Sequence, residues 1–245
     1  MYLRSVHAEL SIPRLRAFML ENPLGILTTA ISTPGFPLIQ SSHIPWVVDI
    51  ADDADEAQLP RIRGHLARQN PQSKAIIQHV EQNGSSTLKE EVMILFNGPA
   101  HHYITPKFYT ETKPASGKVV PTWNYSAVQA YGTATVYVDS KAPETTAFLS
   151  KQIRDLSYMA ETSIMGYPKP WSVDDAPPNY ISVLSKAIIG IEIEIHSLGG
   201  KHKMSQEMGD GDRNGVVEGL NGMGTEVGSA VASTVEERGI SQRDS

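Results

Sequence analysis

The sequence predicts a mainly β (α+β) fold, an antiparallel barrel with peripheral helices, and three observations predict it. Several segments alternate apolar and polar residues with the period of two that gives a sheet one buried face. Helical segments fall between scattered strands, without the regular strand–helix alternation of a parallel sheet. The chain has 245 residues, 40% hydrophobic and 20% charged. At that length roughly 70 to 75% of the unfolded surface can be buried, so no disulfide or metal staple is needed.

The elements follow in order. Residues 25–31 and 131–138 are rich in Thr, Val, Ile and Tyr, whose branched and aromatic side chains suit a pleated surface. Residues 92–96 form a short apolar run stopped by Asn97-Gly98-Pro99, as a buried strand entering a turn would be. The clearest strand is 188–196, where Ile189, Ile191, Ile193 and Ile195 alternate with Gly190, Glu192 and Glu194. Asn70-Pro71 combines an N-cap with a first-turn proline and opens a helix to about residue 79, with Ala75, Ile76 and Val80 as its apolar side. A longer helix starts near Pro143 and carries Phe148, Leu149, Ile153, Leu156 and Met159 at helical spacing. Shorter helices are expected at 178–187 and 212–220, the latter N-capped by Asp212, and one more at 225–238. Residues 49–56, DIADDADE, hold five acids in eight positions and read as a solvated loop. The simplest parse is a domain at 1–220 followed by a carboxy-terminal helix and disordered tail at 221–245.

Composition removes several functions. The chain has no cysteine, which excludes disulfides, thiolate catalysis, zinc ribbons and cysteine-held iron–sulfur clusters. Twenty-seven acids against 21 Lys plus Arg give a net charge of −6, which opposes long-range attraction to a nucleic-acid duplex and disfavours direct DNA binding. No apolar run has the length of a signal peptide or of the ~18 residues needed to span a bilayer. A soluble cytoplasmic protein is expected, with the nucleus also open.

Five clusters carry chemistry. Ser41-Ser42-His43 offers hydroxyls and an imidazole at a strand end, either for a phosphate or flavin edge or as an ordinary polar terminus. Arg61, Arg63 and His65 fall on one strand face just ahead of the helix opened at Asn70. They suit a phosphate, or equally a pairing of the arginines with the acidic loop. His101 and His102 adjoin, but neighbours in a strand point to opposite faces, so no metal site is read there. Tyr103, Phe108 and Tyr109 supply either stacking surface or packing. Lys118, Trp123, Asn124 and Tyr125 set a cation and an apolar wall around Pro121. GKHKMSQ (200–206) reads as a basic loop after the best strand. There is no HExxH, P-loop, GxGxxG or nucleophile–base–orienter series.

The order of the motifs carries a resemblance. PLGILTTA (23–30), SSHIP (41–45), RGHLARQNPQ (63–72), FNGPAHHYITP (96–106), GKVVPTWNY (117–125), AYG (130–132), IIGIEIEI (188–195) and GKHKMSQ (200–206) resemble the PaiB-type FMN-binding family of transcriptional regulators, over about residues 1–220. The resemblance implies an antiparallel split β-barrel of the FMN-binding type and a homodimer with cofactor sites at the subunit interface. It also implies a negative regulatory or sensor role. Ser42, His43, Arg63, His65, Asn70, Lys118, Trp123 and Asn124 occupy motif positions that would line the cofactor site. The rival reading is an enzyme of the same superfamily, either an FMN- or haem-dependent oxidoreductase or a cofactor-free cyclase or isomerase. His43, His65 and Tyr125 would then be its first acid–base candidates. Three positions depart from the family's common residues: Gln129 for a histidine, Ser73 for a tryptophan and Glu207 for an asparagine.

Overall fold

The structure, a computed structural model, describes residues 1–51, 55–177 and 179–240. Among them are nine strands: β1 (Ala8–Glu9), β2 (Leu24–Ala30), β3 (Ile39–Pro45), β4 (Val47–Asp49), β5 (Arg61–Ala67), β6 (Val92–Asn97), β7 (His102–Ile104), β8 (Thr122–Tyr137) and β9 (Ile188–Lys203). The helices are α1 (Ile12–Glu21), α2 (Pro71–Asn83), α3 (Thr112–Ser116), α4 (Pro143–Met159), α5 (Tyr180–Ser185), α6 (Asp210–Asn221) and α7 (Glu226–Ile240). The architecture is the antiparallel split-barrel class with helices. The chain divides into two compact units, a smaller one of residues 1–18, 97–128 and 199–245 and a larger one of 19–96 and 129–198.

In the larger unit the strand order is β3-β2-β6-β8-β9-β5-β4. β2 pairs antiparallel with β3 from Leu24↔Pro45 to Ala30↔Ile39, and β5 with β9 from Arg61↔Glu194 to Ala67↔Ile188. The period-two pattern of β9 is realised in burial: Ile189, Ile191, Ile193 and Ile195 are buried while Glu194 is exposed. They share the core with Leu27, Ile44, Trp46, Ile62, Ile94 and Phe96. α2 begins where expected, because the Asn70 side chain accepts from the Gln72 N–H at 2.8 Å. It ends at Gly84, whose φ of 61° is the left-handed conformation glycine adopts without penalty. α4 packs Phe148 flat on Tyr137, with ring centroids 3.9 Å apart. The helix expected from residue 178 is α5; Pro178 lies outside the described residues, as do 52–54 of the acidic loop and 241–245 of the expected tail.

In the smaller unit β1 pairs with the far end of β9 through Ala8↔Lys201, and β7 pairs with β8 through Tyr103↔Trp123. Its core joins Ile104, Tyr109 and Met204 to Val216, Leu220, Val231 and Val235 of α6 and α7. Two sequence expectations change here. GKHKMSQ is not a loop after the strand, because β9 runs on to Lys203. Gly200 serves close approach there, since a Cβ on it would lie 2.4 Å from the Leu15 side chain. Asp212 does not cap its own helix, which starts two residues earlier. Its carboxylate accepts instead from the Glu111 and Thr112 N–H groups at 2.8 and 3.0 Å and so caps α3.

Candidate functional site

Strand alternation sorts the smaller unit's polar residues into two sets. Trp123 and Tyr125 share one face of β8, and Lys201 and Lys203 share one face of β9. Trp123 is 50% exposed and Tyr103, its partner in the β7–β8 register, 44%. The rings of Tyr103 and His101 lie 6.2 and 6.1 Å from that indole. Lys201 is only 8% exposed. Its ammonium lies 5.8 Å from the centre of the Tyr2 ring and 5.5 Å from that of Tyr125, close enough for cation–π attraction. No carboxylate pairs with it among the described residues.

Lys203 is better provided. It donates to the Thr122 hydroxyl and, at 3.3 Å, to the Trp123 carbonyl, and it stands 3.9 Å from the Glu207 carboxylate. Burial lowers its pKa; Glu207 opposes this, and the cations of Lys201 and Arg4 add to it. A cation held between rings without its own anion, beside a second lysine and a half-exposed indole, is complementary to an anionic group attached to a flat ring. Lys118, exposed, precedes this segment.

The alternate residues make an internal network. Asn124, fully buried, donates from Nδ2 to the Ser205 hydroxyl at 3.0 Å. Ser205 has a φ of 61°, an uncommon conformation for a residue with a side chain. His202 lies between Ser126 Oγ, 2.9 Å from its Nδ1, and Arg238 Nη2, 2.9 Å from its Nε2. Arg238 also donates to Glu9 at 2.8 Å. A guanidinium only donates, so Nε2 is the unprotonated nitrogen and Nδ1 carries the hydrogen. The imidazole therefore donates to Ser126 and cannot take its proton. Burial first, and the Arg238 cation second, push His202 down to about 4.

In the larger unit, Asn70 joins the α2 cap to β3 by donating from Nδ2 to Ser42 Oγ at 2.9 Å. His43 is exposed on β3 opposite Ile26. Arg63, 4% exposed, donates from Nε and Nη2 to Asp49, from Nη2 to Asp155 at 2.7 Å and from Nη1 to Gln152 at 3.2 Å. The Asp49 hydrogen bonds are the largest cause raising its pKa. Arg61 faces Glu192 at 3.6 Å, and Arg68 donates to the carbonyls of Val138, Lys186 and Ile188. Arg63 thus meets the acidic segment through Asp49, the alternative that sequence had left level with a phosphate, whereas Arg61 and Arg68 take partners outside that segment. His65 has no hydrogen-bond partner among the described residues, and burial lowers its pKa. Of the residues singled out from sequence, Trp123 and Tyr125 flank the lysine pair, Asn124 is turned to the other face, and Ser42 and Asn70 meet each other. Tyr2 was missed, and Lys201 and Lys203 were read as part of a basic loop; their two-residue spacing is the strand signal that puts them on one face.

Sheet order and antiparallel register define a split β-barrel protein. The chain belongs to the family described as "Putative FMN-binding domain", whose model matches residues 1–197. It is 62% identical over 255 residues to an uncharacterized protein of Aspergillus fumigatus, with 98% of each chain covered. It is 26% identical over 238 residues to the protease synthase and sporulation protein PAI 2 of Bacillus subtilis, covering 97% of this chain and 98% of that one. Among solved structures, the flavocytochrome Anf3 of Azotobacter vinelandii aligns with a TM-score of 0.46 at 11% identity, over 82% of this chain and 72% of that chain.

Proposed function

We propose that this chain binds FMN on the Lys201 face of its smaller unit and uses it in a regulatory or sensor role. The observation that carries the reading is Lys201, a residue 8% exposed whose ammonium is flanked by Tyr2 and Tyr125 and has no carboxylate partner among the described residues. The donor set fits the group: Lys201, with Lys203 beside it, offers charge to the phosphate, and Trp123 with Tyr103 offers ring surface to the flavin. When bound, FMN supplies a reversible electron and hydride acceptor. The protein's own part is to hold the phosphate and to give the ring an apolar support.

The reading includes a homodimer in the cytoplasm, in which a second copy would cover part of the exposed aromatic surface. Light scattering would then give twice the 26.8 kDa chain mass. Regulation is supported by the family resemblance and by the sporulation named for the Bacillus relative. The net charge of −6 speaks for control through protein or small-molecule partners rather than through direct binding to a duplex. Absence of a gel shift at low salt would agree with this.

The test is a titration of the cofactor-free protein with FMN and with riboflavin, which lacks the phosphate. A charge-assisted contact contributes about 1.5–3 kcal/mol, so Lys201→Met should weaken FMN by about 10- to 100-fold and leave riboflavin nearly unchanged. Equal FMN affinity in the variant, or no flavin uptake by the wild type, would refute the reading.

A further inference from the structure

The larger unit holds a cleft of about 300 Å³ between two helices. Ile153 and Leu156 of α4, Ile181 and Leu184 of α5, and His65 of β5 line it, and among the described residues no lysine, arginine or carboxylate does. It adjoins a second cleft of about 390 Å³ with which it shares Ile153, Ile181 and Ser185. The charged pair lining that second cleft, Arg154 and Asp174, is closed on itself by hydrogen bonds of 2.6 and 2.7 Å. Such volumes lie at the lower end of those that enclose small molecules, whose sites are mostly apolar with a few polar groups that set orientation.

The polar groups here are His65 and the hydroxyls of Ser157 and Ser185, and the hydrogen of His65 can be placed. Nδ1 is sealed from solvent and has no partner. Burial holds the ring neutral by lowering its pKa, so it carries one N–H. A hydrogen on Nδ1 would bury an unsatisfied donor, which is rarer and costlier than an unsatisfied lone pair. The hydrogen therefore sits on Nε2, the nitrogen left to serve the cleft. The serine hydroxyl at 185 is already donating to the Ser182 carbonyl at 3.0 Å.

We propose that this cleft is a binding site for a small, uncharged, mainly apolar molecule carrying one carbonyl-type oxygen, which accepts the Nε2–H of His65. The apolar walls exclude an ion, the volume selects a compact ring system or short chain, and the imidazole selects an acceptor over a donor. The proposal stands apart from flavin binding, which uses other residues.

The full chain, labelled with ¹⁵N-histidine, should be titrated with α-tetralone and, in parallel, with tetralin, which has the same two rings without the oxygen. Tetralin is the more hydrophobic, so simple partition into an apolar groove would favour it. The proposal expects tetralone to bind about tenfold more tightly and to move the His65 Nε2 resonance. His65→Phe should lose that preference while still taking up tetralin, and Leu156→Trp, filling the cleft, should lose both. An unmoved His65 resonance at saturating tetralone, no binding of tetralone, or an equal or higher affinity for tetralin would overturn it. The wild-type titration decides even where a variant does not fold.

Discussion

Lowering the pH from 7 toward 4 sets His202 against the fold. In the unfolded chain its imidazole takes up a proton near the ordinary value of 6.5, whereas in the folded chain it does so only at about 4. Burial is the larger cause and the Arg238 guanidinium against Nε2 the second. Between those two values the unfolded state binds a proton that the folded state refuses, so stability is present above 6.5 and is lost as the pH falls toward 4. At about 1.4 kcal/mol per pH unit, the full gap is worth about 3 kcal/mol. Urea unfolding at steps between pH 7 and 4.5 would measure it, with His202→Gln as the comparison. Glutamine can still accept from Arg238 and donate to Ser126, but it does not titrate. Carboxylates with lowered pKa values, among them Glu9, Glu207 and Asp155, also cost stability in acid, but they do so in both proteins. The wild type should therefore fall more steeply than the variant, by about 1 kcal/mol per pH unit below 6. Parallel pH profiles would refute both the tautomer assignment and the neutrality of the ring.

Three further outcomes are expected. Arg63→Met leaves Asp49 and Asp155 facing each other without the guanidinium that pairs with both; because the two carboxylates keep 39% and 33% exposure, the loss of unfolding free energy should be at the low end for a broken ion pair, about 3 kcal/mol. Gly132→Ala would place a Cβ 2.2 Å from the Glu194 carbonyl oxygen and 2.8 Å from Ile193 Cγ2; since the first is backbone in the neighbouring strand, a melting experiment should show a loss of about 3 kcal/mol, at the upper end of overpacking costs. Asn70→Ala removes both the α2 cap and the bond to Ser42, with about 1–2 kcal/mol lost in denaturant and faster hydrogen exchange in the first turn of α2.

What sequence could and could not show follows from the range of the interactions. The isoleucine alternation in β9 and the Asn70-Pro71 start of α2 are local, each decided within a few residues, and both were legible. The same holds for α4 and for the helix ending the chain. α1 was overlooked although Leu15, Phe18 and Met19 stand at helical spacing and Pro13 belongs to its first turn, where proline is accepted. Alternation put Arg63 with His65, and the acidic stretch supplied Asp49, but two further partners of Arg63, Gln152 and Asp155, are 89 and 92 residues away. Nothing local marks them. Lys201 meets Tyr2 only because β1 pairs with the end of β9, a contact spanning nearly the whole chain. A glycine needed for close approach, as Gly200 is to Leu15, has the same appearance in sequence as one needed for a turn.

The pairing of Ser126 with His202 at 2.9 Å invites a reading as nucleophile and base, and the surroundings reverse it. A general base must offer a lone pair to the hydroxyl, but the lone pair of this ring points at Arg238 and its hydrogen at Ser126. The serine is 7% exposed and the ring 8%, so neither presents a reactive atom to a substrate, and the low pKa is that of a ring held neutral by burial rather than one tuned toward neutral pH. Parity completes the argument. His202 lies between Lys201 and Lys203 in sequence, and a pleated strand sends it to the opposite face from both. One set of alternate residues therefore forms the internal network, while the two lysines share the other face with the ring of Tyr125. A register slip of one residue would exchange the sets, burying two ammonium groups against Glu9 and Arg238 and exposing the imidazole. The Ala8↔Lys201 pairing of β1 with β9 is thus both a packing contact and the feature that fixes which face the lysines take and which the histidine.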